Sequence, residues 1–225
     1  MIRGIDINEK CSIEIEYITE GEEGTVVWDA GLVLLSYFNK NKKLVEQKNV
    51  LEIGAGTGVC GLGITHLDIK NLILTDRSSM INLLNKNKIR NSEKVENCDC
   101  SFNFKDNIDI SVLDWNNEED IDNHITKDID IIIGSDCIYG NFCSPLPQLF
   151  KKFLTVHKNL IIYLSFEKRH RHNDEIKLNL NYSQSFFDTM KEDDNLDVTQ
   201  IPPSEMGELS CDEISIWKIS NKVCV

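Results

Sequence analysis

Along most of the chain, short apolar runs rich in β-branched residues alternate with stretches of helical periodicity. That order is expected of a parallel sheet built from βα units. Strands are predicted at Val50 to Ile53, Leu72 to Thr75, Ile110 to Leu113, Ile129 to Gly134 and Leu160 to Ser165. The segment Asp130-Ile131-Ile132-Ile133-Gly134 is apolar at its centre without alternation, as in a strand covered on both faces. Helices are predicted at Asp29 to Phe38, Val59 to Leu67, Ser79 to Asn87, Pro145 to Leu154 and Asp174 to Lys191. Ser144-Pro145 supplies a cap and a first-turn proline, and Ser78 or Ser79 can cap the helix before Ile81, Leu83 and Leu84. Two further strands, Leu196 to Gln200 and Glu213 to Ile219, complete a seven-stranded α/β sandwich.

No repeat and no proline-rich linker divides the 225 residues, a length suited to one sizeable core. One domain, 1–225, is expected. The Asn/Lys tracts 39–43 and 85–88, with the polar stretch 91–101, read as helix ends and loops of biased composition.

The segment richest in chemistry is Asn49-Val50-Leu51-Glu52-Ile53-Gly54-Ala55-Gly56-Thr57-Gly58-Val59-Cys60-Gly61, a strand running through a glycine-dense turn into a helix. Without Cβ atoms such a turn brings backbone N–H groups close to a ligand. Gly56, Gly58 and Gly61 have dinucleotide-fingerprint spacing, so this loop alone admits a nicotinamide dinucleotide as well as another nucleoside. Asp76, at the end of the second strand, can accept hydrogen bonds from a ribose diol and supports either ligand.

Three more segments favour one of them. Gly24-Thr25-Val26-Val27-Trp28-Asp29-Ala30 precedes the loop, Val112-Leu113-Asp114-Trp115 follows the third strand, and Ser135-Asp136-Cys137-Ile138-Tyr139 follows the fourth. With the frame Glu52-Ile-Gly54-Ala-Gly56-Thr-Gly58, this order resembles the seven-β-strand protein-lysine methyltransferases over roughly residues 20 to 170. Members acting on valosin-containing protein share the Asp-Cys-Ile-Tyr stretch, and chaperone-directed members are similar at Thr75-Asp76-Arg77.

The resemblance implies a Rossmann-like methyltransferase sandwich, a mostly parallel sheet with helices on both faces. It further implies S-adenosylmethionine as cofactor, S-adenosylhomocysteine as product, and transfer of methyl to a lysine amine of a protein substrate, an ATPase or chaperone being the candidate class. Residues 1–28 would form an N-terminal extension on the substrate side. Carried over, Trp28, Gly54, Ala55, Gly56, Asp76, Trp115 and Ser135 contact the cofactor, while Asp136 and Tyr139 act on the amine. Trp115 would stack on adenine and Asp76 bind the ribose, although either indole would also serve as plain core. Gly134-Ser135-Asp136-Cys137 lacks the Pro-Pro-aromatic stretch of relatives that methylate planar amides or adenine, which disfavours a planar nitrogen target. A small-molecule N-methyltransferase and a non-catalytic binding module remain the alternatives.

Net charge is −13 at neutral pH, which disfavours nucleic acid, and no apolar run nears the roughly 20 residues of a membrane span. A monomer in the cytosol or nucleus is expected. The eight scattered cysteines read as reduced thiols, and neither Cys98-Asp99-Cys100 nor His170 with His172 has metal-ligand spacing. The basic run Lys168 to His172 could steer an acidic partner, orient loops through Arg169, or be a solvated helix start.

Overall fold

A computed structural model describes residues 1–7, 11–92, 106–168 and 174–222, with the backbone alone for 174–181. The stretch 93–101, with Cys98 and Cys100, and the run Arg169 to His172 fall outside the described residues.

The strands are β1 (Ile2–Asp6), β2 (Ser12–Glu16), β3 (Asn49–Ile53), β4 (Asn71–Asp76), β5 (Ile108–Val112), β6 (Ile131–Ser135), β7 (Ile161–Glu167), β8 (Leu196–Gln200) and β9 (Ile214–Asn221). The helices are α1 (Asp29–Lys40), α2 (Val59–Ile64), α3 (Ile81–Ser92), α4 (Glu118–Ile125), α5 (Leu146–Val156) and α6 (Asp174–Lys191). All seven expected strands join one sheet in the order β5-β4-β3-β6-β7-β9-β8. Pairing is parallel from β5 to β7 and antiparallel at β7–β9 and β9–β8.

Residues alternate between two cores. Val50, Ile131 and Ile133 face the layer of α1, α2 and α3, with Leu34, Phe38 and Leu62. Leu51, Ile53 and Ile132 face the layer of α4, α5 and α6, with Ile121, Phe150, Phe153 and Phe187. β3 is buried along its whole length, Asn49 and Glu52 included, and β6 along all but its last residue, which accounts for the unbroken apolar run of β6.

The chain leaves β3 on one side for β4 and β5, then returns to pair β6 on β3's other edge. A crevice therefore opens beyond the carboxyl ends of β3 and β6, where ligands collect in open α/β sheets. Backbone bonds carry the ladders into the crevice loops: Ala55 N–H donates to Thr75 O (3.0 Å), Leu113 N–H to Asp76 O (3.0 Å) and Asp136 N–H to Ser165 O (2.8 Å).

Several elements depart from the sequence expectation. The helix expected to reach Leu67 ends as α-helix at Ile64 and tightens into a 3-10 turn, Thr65–Leu67, while α3 runs on to Ser92. β1 and β2 form an antiparallel hairpin that went unread, although Ile13 and Ile15 alternate inward and are almost wholly buried. α4 was missed because it offers only Ile121 and Ile125 as apolar signal. Asn117 caps it by accepting from Glu119 N–H and Asp120 N–H.

The Asn-rich tract also proves to be more than composition. Asn87 and Asn91 are buried, and each treats one residue of β2 as a neighbouring strand would. The Asn87 side chain accepts from Glu16 N–H (2.7 Å) and donates to Glu16 O (3.0 Å); that of Asn91 accepts from Glu14 N–H (2.9 Å) and donates to Glu14 O (2.9 Å). Four helical residues rise about 6 Å, close to the roughly 6.7 Å spanned by two strand residues, so the ladders match.

Cys60, Cys137, Cys143 and Cys211 are free thiols, but Cys11 is disulfide-bonded, contrary to the reading of all eight as reduced. Such a bond needs a second thiol close in space, which scatter along the chain does not report. Among the described residues no helix is long and apolar enough to cross a membrane.

Candidate active site

The crevice holds a cavity of about 460 Å³. All nine residues singled out from the sequence line it: Trp28, Gly54, Ala55, Gly56, Asp76, Trp115, Ser135, Asp136 and Tyr139. They arrive from four separate carboxyl-end loops and from the segment before α1.

The glycine turn is shaped by backbone that ordinary residues avoid. Gly54 and Gly56 have φ of +56° and +55°. A Cβ at Gly54 would stand 2.7 Å from Cys137 Sγ and 3.1 Å from the Trp115 ring, and one at Gly56 would stand 2.7 Å from Gly24 O. The loop is thus held between the β6 loop, the β5 loop and the segment preceding α1, with its backbone facing the cavity.

Asp76 closes the turn from the β4 side. Its carboxylate accepts from Gly56 N–H (2.7 Å) and Arg77 N–H (2.8 Å). Burial raises its pKa despite those donors. Each bond occupies one lone-pair site on its oxygen, leaving others for a diol. Beneath the loop, Glu52 is buried and accepts from Gly61 N–H (2.9 Å), and desolvation pushes its carboxyl up to about 8. The close packing of α2 on the sheet occurs at Gly61, where a Cβ would collide with Glu52 and Leu74.

On the β6 side Asp136 adopts φ +54°, unusual for a residue with a Cβ, and its Oδ1 accepts from Glu167 N–H (3.3 Å). Cys137 beneath it is buried, and burial drives its thiol well above the ordinary range, so it is no nucleophile at neutral pH. The Tyr139 hydroxyl lies within interaction range of the Glu23 carboxylate. Burial first, and then that carboxylate, raise its pKa, which keeps the hydroxyl protonated.

Sequence reasoning passed over other lining residues, chief among them Glu23, Arg77, Asn116 and Phe142. Glu23 lies beside the Val-Trp-Asp-Ala motif, and its own backbone oxygen receives the Trp28 indole N–H (2.9 Å). Neither pairing is visible without the fold. Phe142 carried no motif; its signal is its exposure at the cavity mouth, 64%.

The residues present fit an adenosyl cofactor: a glycine cradle that a Cβ would fill, a carboxylate beside it and a half-buried indole against it. Fold and site define a Rossmann-like α/β protein of the methyltransferase kind.

The lysine methyltransferase family profile matches residues 7–193, and the chain belongs to that family. It is 30% identical over 175 residues to methyltransferase-like protein 23 of Dictyostelium discoideum, covering 73% of this chain and 68% of that protein. It is also 30% identical over 157 residues to the protein-lysine N-methyltransferase rrg1 of Schizosaccharomyces pombe, covering 68% and 49%. The chain thus spans between about half and two thirds of these relatives' length. In fold it is similar to the ribosomal protein L11 methylase of Lactobacillus delbrueckii, with a TM-score of 0.57 at 12% identity, covering 98% of this chain and 99% of that one. The family's cofactor is S-adenosylmethionine, and the chain is a methyltransferase enzyme by family.

Proposed function

We propose that this chain methylates the side-chain amine of lysine in a protein substrate, with Asp136 and Tyr139 at the amine and Trp28, Gly54, Ala55, Gly56, Asp76, Trp115 and Ser135 around the cofactor. The observation that carries this reading is the convergence of all nine residues on one cavity at the switch point. Bound S-adenosylmethionine supplies a sulfonium methyl, whose transfer to a neutral amine leaves S-adenosylhomocysteine and releases one proton.

The protein's part is to admit, neutralise and align the amine. A free lysine amine is mostly protonated at neutral pH. The Asp136 carboxylate at the cavity wall can draw in the cation and then accept a hydrogen bond from the neutral nitrogen. Its unusual backbone dihedral is a kind of strain that persists where surrounding structure imposes it. Asp136 need not take the proton itself, because water can carry it away before the amine attacks. Orientation of this kind is worth orders of magnitude in rate.

The single domain is read as one catalytic unit. Its N-terminal hairpin is anchored on α2 and α3, and the segment 23–28 forms a cavity wall on the substrate side. A partner of the ATPase or chaperone class, monomeric state and a cytosolic or nuclear location complete the proposal. They rest on the resemblance at Asp136 to Tyr139 and at Thr75 to Arg77, and on composition.

The experiment is transfer of labelled methyl from S-adenosylmethionine into a methylation-poor lysate, with Asp136→Asn as control. One or a few labelled proteins releasing methyl-lysine on hydrolysis are expected, with label falling about a hundredfold or more in the variant. Label confined to small metabolites would point to a small-molecule acceptor. An undiminished rate in the variant would remove Asp136 from the chemistry.

A further inference from the structure

At the cavity mouth the 3-10 turn Glu23–Thr25 faces the loop after β6. Glu23 is exposed there and lines the cavity with Tyr139, its carboxylate within interaction range of that hydroxyl. Its backbone is fixed independently of that side chain. Glu23 O accepts from the Trp28 indole, and neighbouring Glu22 pairs with Arg77 (3.1 Å) and accepts from Ser79 Oγ (3.0 Å).

Two features of the mouth bear on what enters. The cation lining the cavity among the described residues, Arg77, is already paired with Glu22, whereas Glu23 and Asp136 offer carboxylates. Phe142 lies with its ring centroid 5.9 Å from that of Tyr139 and is exposed beside it. An aromatic wall with a carboxylate at its edge fits an alkyl stem ending in an ammonium group: the methylenes cover the rings and the charged head meets the acid.

We propose that Glu23 is a specificity-determining residue for the substrate amine, its carboxylate selecting the cationic alkylammonium at the mouth before Asp136 receives it. A carboxylate has about four lone-pair sites, so Glu23 can stay beside the Tyr139 hydroxyl and still accept from the ammonium. This inference rests on the cavity being the lysine site argued above.

The test uses n-butylammonium, a lysine side chain without its backbone, against n-butanol as its uncharged counterpart. Both are titrated by NMR into the full chain loaded with S-adenosylhomocysteine. Glu23→Gln keeps a polar acceptor of the same size beside Tyr139 while the charge goes. We expect n-butylammonium binding to weaken about three- to fivefold, the scale of an exposed ion pair, and n-butanol binding to stay unchanged. Added salt should narrow the gap between wild type and variant, and S-adenosylhomocysteine affinity measured by calorimetry should not move.

Equal n-butylammonium binding in wild type and Glu23→Gln, with a clear loss in Asp136→Asn, overturns the role of Glu23 alone. If the wild type binds no n-butylammonium, or Asp136→Asn binds it undiminished, the amine-site reading falls and this inference with it. Equal losses of n-butylammonium and n-butanol in Glu23→Gln would mean that the residue only shapes the mouth, which also overturns the proposal.

Discussion

Asp136 and Trp115 show how differently single residues declare themselves. Asp136 was legible because its Asp-x-x-Tyr spacing follows a strongly apolar strand, yet its left-handed backbone appears only in the fold. Asn tolerates that conformation better than most residues, so Asp136→Asn changes the carboxylate and spares the turn, which makes it a clean control. Trp115 was ambiguous in the sequence between stacking on a base and filling a core. In the structure it lines the cavity while packing against the α4–α6 core, a placement open to either role. Trp115→Ala should therefore weaken S-adenosylmethionine binding by about 1–3 kcal/mol, the range for a base on an aromatic face, as read by calorimetry. Unchanged affinity in a folded variant would leave the indole a purely structural role.

Among the elements, the N-terminal hairpin depends most on partners distant in sequence. β2 would present an open edge, and α3 covers it with the amides of Asn87 and Asn91. Asn87 also donates to Thr57 O (2.9 Å), so one amide links the hairpin to the glycine turn of the candidate site. Asn87→Ala leaves the Glu16 N–H and C=O without these partners, which should cost about 1–3 kcal/mol in denaturant unfolding. It should also speed hydrogen exchange at Glu16. Native exchange there would mean that the Asn91 bonds to Glu14 and the burial of Ile13 and Ile15 hold the hairpin without Asn87. The hairpin escaped the sequence reading because five-residue strands with charged residues on one face give little periodic signal. α4 escaped for a similar reason: its His124 is buried with Nε2 2.8 Å from Ser111 Oγ, a polar residue acting as core.

At the scale of the whole molecule, the buried acid under the glycine turn ties stability to pH. Glu52 has its carboxyl pushed up to about 8 by burial, against 4.5 for the unperturbed group. Between those values the folded protein holds a proton that the unfolded chain has released, so stability falls as pH rises through that window. The contribution is fully present below about 4.5 and is lost by about pH 8, on the order of a few kcal/mol in all. Glu52→Gln keeps an acceptor for Gly61 N–H and cannot ionise. The variant's unfolding free energy should therefore gain on the wild type steadily from pH 5 to pH 8, measured without cofactor. A gap that stays flat over that range would mean Glu52 is ionised throughout.

The amino-acid order by itself determined the seven sheet strands and the class of fold, and its resemblance to a family singled out nine residues that line one cavity. These rest on local signals: apolar runs the length of a strand, glycines where the backbone must turn left, and short motifs at strand ends. Only the tertiary structure decided that Asn87 and Asn91 act as a strand edge, that Cys11 is disulfide-bonded, and that Glu23 meets Tyr139 across the mouth. Each of these is a pairing between segments far apart along the chain. A hydrogen bond, a disulfide or an ion pair depends on distance in space, and hydrophobic periodicity reports only which face of an element turns inward.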